Sequence, residues 1–163
     1  MRRFGWLVGL LLLVQCSNGS SPLPPPQEPG PEAVGYYCGM NLREHEGPKG
    51  QAYVAGEKEA LWFTSVRDTL AYLHSEGATQ RLLAVYVNNM ARSPWSRPGP
   101  ENWLEAKSAI YVLDSRQTGG MGGSEIVPFA TTGEAMAFVE KNGGYLADYP
   151  AIPRKAIFPE SEG

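Results

Sequence analysis

Apolar and polar positions divide the chain into three regimes. Phe4 to Val14 is almost continuously apolar behind the basic triplet Met1-Arg2-Arg3. Ser17 to Pro31 is dominated by Ser, Gly and Pro and has no apolar run. From Ala33 to Tyr149 short apolar runs alternate with polar turns, and elements can be read there. Ala33 to Tyr37 predicts a short strand. Gln51 to Ala55 and Ala60 to Thr64 predict two strands joined by the polar turn Gly56 to Glu59, a hairpin. Ser65 reads as a helix N-cap with Asp68 three residues on. Val66, Leu70 and Leu73, with Ala71 or Tyr72, form an apolar stripe at helical spacing that ends at Glu76-Gly77. Arg81 to Val87 is aliphatic and β-branched, a third strand.

Asn88 to Pro100 reads as a connector. Trp103 to Ala106 and Ser108 to Leu113 predict strands, Thr118 to Gly123 a flexible glycine-rich tip, and Ile126 to Phe129 a strand that Pro128 places at an edge or a bulge. Thr131 or Thr132 caps a second helix through Met136 and Phe138 to Asn142, stopped by Gly143-Gly144. Tyr145 to Ala147 is a last short strand. Phe63 to Gly77 aligns with Phe129 to Gly143: aromatic, Thr/Ser cap, acid, apolar helix, glycine. The fold class expected is α+β, two similar β-β-α-β units packed together, over residues 33–90 and 91–149, with a frayed tail at 150–163.

The apolar run behind Arg2 and Arg3 is the length of a signal-peptide core and short for a bilayer span, so residues 1–15 are expected to be an export signal. It ends at Leu13-Val14-Gln15-Cys16, similar to a bacterial lipobox, which makes Cys16 the expected lipidation site; Gln15 stands where a small residue is usual. Residues 16–32 then read as lipidated N-terminus and flexible linker, with a folded domain tethered outside the cytoplasmic membrane.

The 163 residues fit one domain, or two very small ones packed together, and a 42% apolar fraction supplies a core. The net charge of −3 gives no footprint for nucleic acid. With Cys16 lipidated, Cys38 has no partner in the chain. An unpaired thiol in an oxidising envelope is buried and inert, pairs with another protein, or is protected by a soft metal. Its neighbours favour the metal. Cys38-Gly39-Met40 is followed by His45 in a loop rich in glycine and proline. Thiolate and thioether sulfur select Cu(I), and imidazole nitrogen is also accepted. Met121, in a glycine-rich tip with no core to join, is the fourth candidate ligand. His74 sits in the first helix and Met90 in the connector, where packing roles are the simpler reading. Trp95 and Trp103 can line a partner surface or be buried. Lys49 and Gln51 read as residues that fix the loop. With Cys16 lipidated, the one remaining cysteine and two histidines make a closed zinc site hard to build.

The run from Cys38-Gly39-Met40 through His45 to Gly47-Pro48-Lys49-Gly50-Gln51 resembles the NosL family. So do Phe63-Thr64-Ser65 and the segment from Met121 to Phe129. The resemblance spans Tyr37 to Tyr149. It implies an extracytoplasmic lipoprotein of denitrifying bacteria, anchored to the envelope and expected at the outer membrane. It further implies Cu(I) binding in the service of nitrous oxide reductase maturation, with that reductase and a Nos-type ABC transporter as partners. The fold it implies is a pair of β-β-α-β units similar to part of the organomercurial lyases. Two other readings compete with such a non-enzymatic carrier. A thiol-dependent enzyme related to those lyases would use Cys38 as nucleophile, but the reaction needs further thiols that the folded part lacks. A non-metal adaptor lipoprotein would make the sulfur residues incidental.

Overall fold

In the computed structural model, which describes residues 23–75, 81–98 and 100–159, two antiparallel sheets share one core. The first is built from β1 (Gly50–Val54), β2 (Leu61–Phe63), β3 (Leu82–Asn88) and β4 (Trp103–Glu105), in the order β2-β1-β3-β4. The second contains β5 (Ile110–Leu113), β6 (Val127–Phe129) and β7 (Tyr145–Asp148), in the order β6-β5-β7. Helix α1 (Val66–Leu73) links β2 to β3, and α2 (Thr132–Asn142) links β6 to β7. Each unit is therefore β-β-α-β with its first strand in the middle. The registers repeat as well: Gly50 faces Phe63 in one unit and Ile110 faces Phe129 in the other.

Local chemistry explains the repeat. Ser65 Oγ accepts from the Asp68 N–H at 3.0 Å, and Thr131 Oγ1 from the Glu134 N–H at 3.2 Å. Glu134 reaches back to the Thr131 N–H, a complete capping box. Gly143 closes α2 at φ +71°, a conformation open to glycine. Thr131→Ala is expected to cost about 1 kcal/mol in chemical denaturation, because it orphans the Glu134 N–H. Pro128 lies on edge strand β6. Its carbonyl accepts from Met90 N, on the side away from β5, so the missing N–H costs the ladder nothing. Met90 itself is buried, as a packing residue.

Side chains of β1 alternate. Ala52 and Val54 join Val66, Leu70, Val85 and Val87 in the main core, to which Tyr111, Leu113 and Ala147 of the second sheet also belong. Val112 and Val127 pack instead against α2 through Ala135, Phe138 and Val139.

Several expectations need correction. The segment expected as a flexible linker is a strap from Pro24 onward. It crosses the outer face of the first sheet, where Tyr53, Ala84 and Tyr86 cluster. Gln27 and Gln51 exchange two hydrogen bonds of 2.9 Å, Tyr86 OH donates to the Pro24 carbonyl, and Glu28 accepts from Trp103 Nε1. A proline-rich extended segment leaves its carbonyls free, and the sheet supplies side-chain donors. β4 precedes the second unit in sequence but pairs with β3, so it completes the first sheet. The 150–163 segment is not frayed in its described part. It forms a 3-10 turn and α3 (Arg154–Ile157), and buries Ile152 and Ile157 in the main core. Ala33 to Tyr37 contributes single bridges in place of a strand, Val34 with Asn41 and Gly35 with Trp62. Helix α1 ends at Leu73, with His74 as C-cap. The expected export signal, Cys16 and the stop at Glu76-Gly77 lie outside the described residues.

Candidate copper-binding loops at the head of helix α1

Cys38 sits on a tight reversal. Gly39 N–H donates to Gly35 O at 2.7 Å, and Gly35 N–H to Met40 O at 2.9 Å. Gly39 has φ +66°, which a residue with Cβ adopts only under strain. Gly35 is required for a different reason: a Cβ there would lie 2.6 Å from Cys38 Sγ. The turn hangs on the edge of β2, because Tyr36 N–H donates to Trp62 O at 2.7 Å. Cys38 Sγ comes to rest 3.4 Å from Thr64 Oγ1, just ahead of the α1 N-cap. Tyr36 and Tyr37 stand exposed on the reversal, their rings against each other and against Phe63. Met40 is half-buried at its end.

The chain then makes a 3-10 turn, Leu42–Glu44, capped by Asn41 and anchored by buried Leu42. Lys49 is buried and donates to the Glu46 carbonyl at 3.0 Å and the Gly47 carbonyl at 2.6 Å, fixing the loop as the sequence implied.

The second loop is the tip 118–124. Thr118 and Ser124 form a bridge, and Gly122 and Gly123 take φ near +80°. Met121 is 45% exposed at its apex. The two loops touch. His45 Nδ1 donates to Gly120 O at 3.2 Å, which fixes the ring's tautomer and leaves Nε2 buried with no partner. A Cβ on Gly120 would fall 2.6 Å from Glu46 N, so only glycine lets the tip lie this flat. Trp95 Nε1 donates to Thr118 O at 3.1 Å while the Trp95 carbonyl accepts from Gly47 N–H. Arg67 on α1 donates to the Ser124 carbonyl.

Two of the four candidate sulfur and nitrogen donors thus meet the same short helix end. Cys38 lies against Thr64; Met121 shares a cavity of about 130 Å³ with Ser65, Arg67 and Asp68. Met40 shares the turn with Cys38. His45 is hydrogen-bonded to the tip through Nδ1. It lines a separate cleft with Arg43, Lys49 and Arg97. His74 is at the far end of α1, stacked on Tyr149 at 6.2 Å. Among the described residues no three His, Cys, Asp or Glu side chains are grouped as a metal site; Met40 and Met121 are the thioethers that the two loops carry beside Cys38.

The family model for NosL matches residues 26–157, which takes in both loops and both sheets. The chain belongs to the NosL family. It is 43% identical over 139 residues to the copper-binding lipoprotein NosL of Achromobacter cycloclastes, covering 84% of this chain and 72% of that protein. It is 35% identical over 126 residues to the copper-binding lipoprotein NosL of Stutzerimonas stutzeri, covering 75% and 63% respectively. The crystal structure of the copper chaperone NosL from Shewanella denitrificans matches with a TM-score of 0.72 at 33% identity, over 80% of this chain and 98% of that one. These relatives are named as copper binders or as a chaperone, and none as an enzyme.

The NosL-type loops rest on a buried charge cluster that sequence reading did not find. Glu125 is buried at the foot of the tip and accepts from Ile126 N–H. Burial pushes its carboxyl up to about 7, against the Ile126 hydrogen bond, Arg67 and Lys49, while Asp68 pushes it further up. Lys49 is brought down to about 8 by burial, with Glu125 and Glu46 opposing. Asp68 is raised by burial, with the Ser65 hydroxyl and Arg67 opposing. It also acts on Tyr37, whose phenol is raised by its own burial first and then by Tyr36 and Asp68. Asp68 thus lines the Met121 cavity and acts electrostatically on Tyr37, the neighbour of Cys38. The sequence showed Asp68 only as a capping acid, and Glu125 carried no signal there at all.

Proposed function

We propose that this chain is an envelope-attached copper chaperone. In this reading it carries Cu(I) on Cys38 with Met121 and Met40. It hands the ion to the maturation machinery of nitrous oxide reductase, namely the reductase itself and a Nos-type ABC transporter. One observation supports it above the others: a half-exposed thiol and an exposed thioether flank one helix end, on two loops that hold each other. Thiolate and thioether are the donor pair that favours Cu(I) over harder ions. A lipid on Cys16 would keep the chaperone at the membrane, and among the described residues no helix is long and apolar enough to cross one. We assign His45 to the support of the ligand set. Arg43, Lys49 and Arg97 share its cleft and disfavour a cation there, while its Nδ1–H holds the tip that presents Met121.

Delivery is ligand exchange without change of oxidation state. Donors on the partner replace the thioethers and then the Cys38 thiolate, so copper is never free. The enzymatic alternative has less support: the hydrogen-bond partner of Cys38 Sγ among the described residues is the Thr64 hydroxyl, a poor base at neutral pH.

A chelator-competition titration under reducing conditions tests the reading. One Cu(I) per chain with a sulfur-dominated X-ray absorption signature is expected. Met121→Leu keeps the volume and removes the sulfur. It should weaken binding by roughly 10- to 100-fold, the loss typical when a metal site is deprived of a supporting group. A coordination shell of nitrogen and oxygen alone would refute the sulfur site.

A further inference from the structure

A cleft of about 490 Å³ opens beside the His45 loop, and Cys38 is not among its lining residues. Arg43, Lys49 and Arg97 line it, in a chain whose net charge is −3. Its one acid, Glu28, is already engaged: Oε1 accepts from Trp103 Nε1 and from Glu101 N–H, both at 2.9 Å. Lys49 is buried and already engaged, donating to the carbonyls of Glu46 and Gly47 with Glu125 and Glu46 acting on its charge, so the accessible cations of the cleft are Arg43 and Arg97. The remaining wall is largely proline, including Pro29 and Pro94, which has no backbone N–H and is already ordered. Such a cleft presents fixed positive charge to a ligand that brings carboxylates.

We propose that this cleft receives an acidic peptide segment of a protein partner, and that His45 couples its arrival to the Met121 tip. The proposal rests on the copper-chaperone reading for its second half only. His45 belongs to both structures, lining the cleft while its Nδ1–H donates to Gly120 O, next to Met121. A carboxylate entering the cleft competes with the Gly120 carbonyl for that N–H. Losing the bond frees the tip, and with it one thioether, at the moment the partner's own donors are close. Charge complementarity also sets the approach, since opposite charge speeds encounter and fixes orientation more than it adds affinity.

The test uses the full chain and a fluorescein-labelled hexaglutamate peptide, with hexaglutamine as control. Fluorescence anisotropy at low ionic strength should show binding of hexaglutamate only. Arg43→Glu combined with Arg97→Glu should weaken it by at least about tenfold, and so should raising the salt toward 1 M, where charges are screened beyond about 3 Å. Cu(I) affinity of that double variant should match wild type, which separates failure of this proposal from failure of the copper reading. Copper release to a chelator should be several-fold faster with hexaglutamate present, and His45→Phe should abolish the acceleration. Equal peptide binding by wild type and the double variant would overturn the docking site. So would binding to phosphatidylglycerol vesicles without binding to the peptide, which would give the cleft to a lipid headgroup. Peptide binding with an unchanged release rate would overturn the coupling.

Discussion

Cys38→Ala is expected to abolish tight Cu(I) binding while leaving the fold in place. A four-ligand structural zinc site gains roughly 10–16 kcal/mol, so one thiolate in such a set is worth about 3 kcal/mol or more. A Cu(I) site with two or three donors puts a larger share on each, and the loss should exceed about a hundredfold. The structural cost is small by comparison. Cys38 is half-exposed, and its sulfur makes one weak polar contact, 3.4 Å to Thr64 Oγ1. The reversal that carries it is held by backbone bonds, Gly39 N–H to Gly35 O and Gly35 N–H to Met40 O, which alanine leaves untouched. The stability change should therefore stay within about 1 kcal/mol, a Tm shift of no more than about 4 °C in a chain of this size. A chelator titration beside a thermal melt reads both quantities. Retained copper affinity in Cys38→Ala would remove the reversal from the site, whatever Met121 does.

The repeated unit was legible because its determinants are local. Ser65 with Asp68 and Thr131 with Glu134 set the helix starts, Gly143 stops α2, and alternating apolar positions supply the strands. The alignment of Phe63 with Phe129 reappears as equivalent register against Gly50 and Ile110. What escaped was decided at a distance. Proline, glycine and serine before Ala33 read as linker. Yet Tyr53 and Tyr86 lie on the outer face of β1 and β3, and that aromatic surface needs a cover, which the strap gives. Ile152 and Ile157 are two apolar residues in a Pro- and charge-bearing stretch, too sparse to show a pattern before α1 and the second sheet are there to receive them. Of the candidate site, Cys38, Met40 and Met121 stood out by chemistry in loops without a core. The direction His45 faces could not be read, because it is set by Gly120, 75 residues away. Glu125 and Lys49 gave no warning of burial, since charged residues are seldom buried unless they face one another.

The largest effect on stability is expected at Gly50. The Gly47-Pro48-Lys49-Gly50-Gln51 run has a packing reason at this position. A Cβ on Gly50 would lie 1.9 Å from Thr69 Oγ1, 2.6 Å from Thr69 Cγ2 and 2.8 Å from Thr69 Cβ. Thr69 cannot turn away. It is fully buried, its β-branch restricts χ1, and its hydroxyl donates to Ser65 O at 2.8 Å. Gly50→Ala must therefore push α1 off β1 or break that bond. Overpacking of about 1–3 kcal/mol plus a lost hydrogen bond of about 1 kcal/mol puts the cost near 3 kcal/mol. Denaturant unfolding should show it directly. Gly39→Ala is the comparison: nothing lies within 4 Å of its Cβ, so it meets only the strain of φ +66°, about 1–2 kcal/mol. The displacement also reaches the copper loops, because Thr64, Ser65 and Asp68 ride on the same end of α1 that meets Cys38 and Met121. Adding Thr69→Ala removes the two closest contacts and should return more than half of the lost stability, a coupling that a double-mutant cycle reads as non-additivity. Additive losses instead would mean that the spacing of β1 and α1 is not set by Gly50, and the tight β1–α1 approach would lose its explanation.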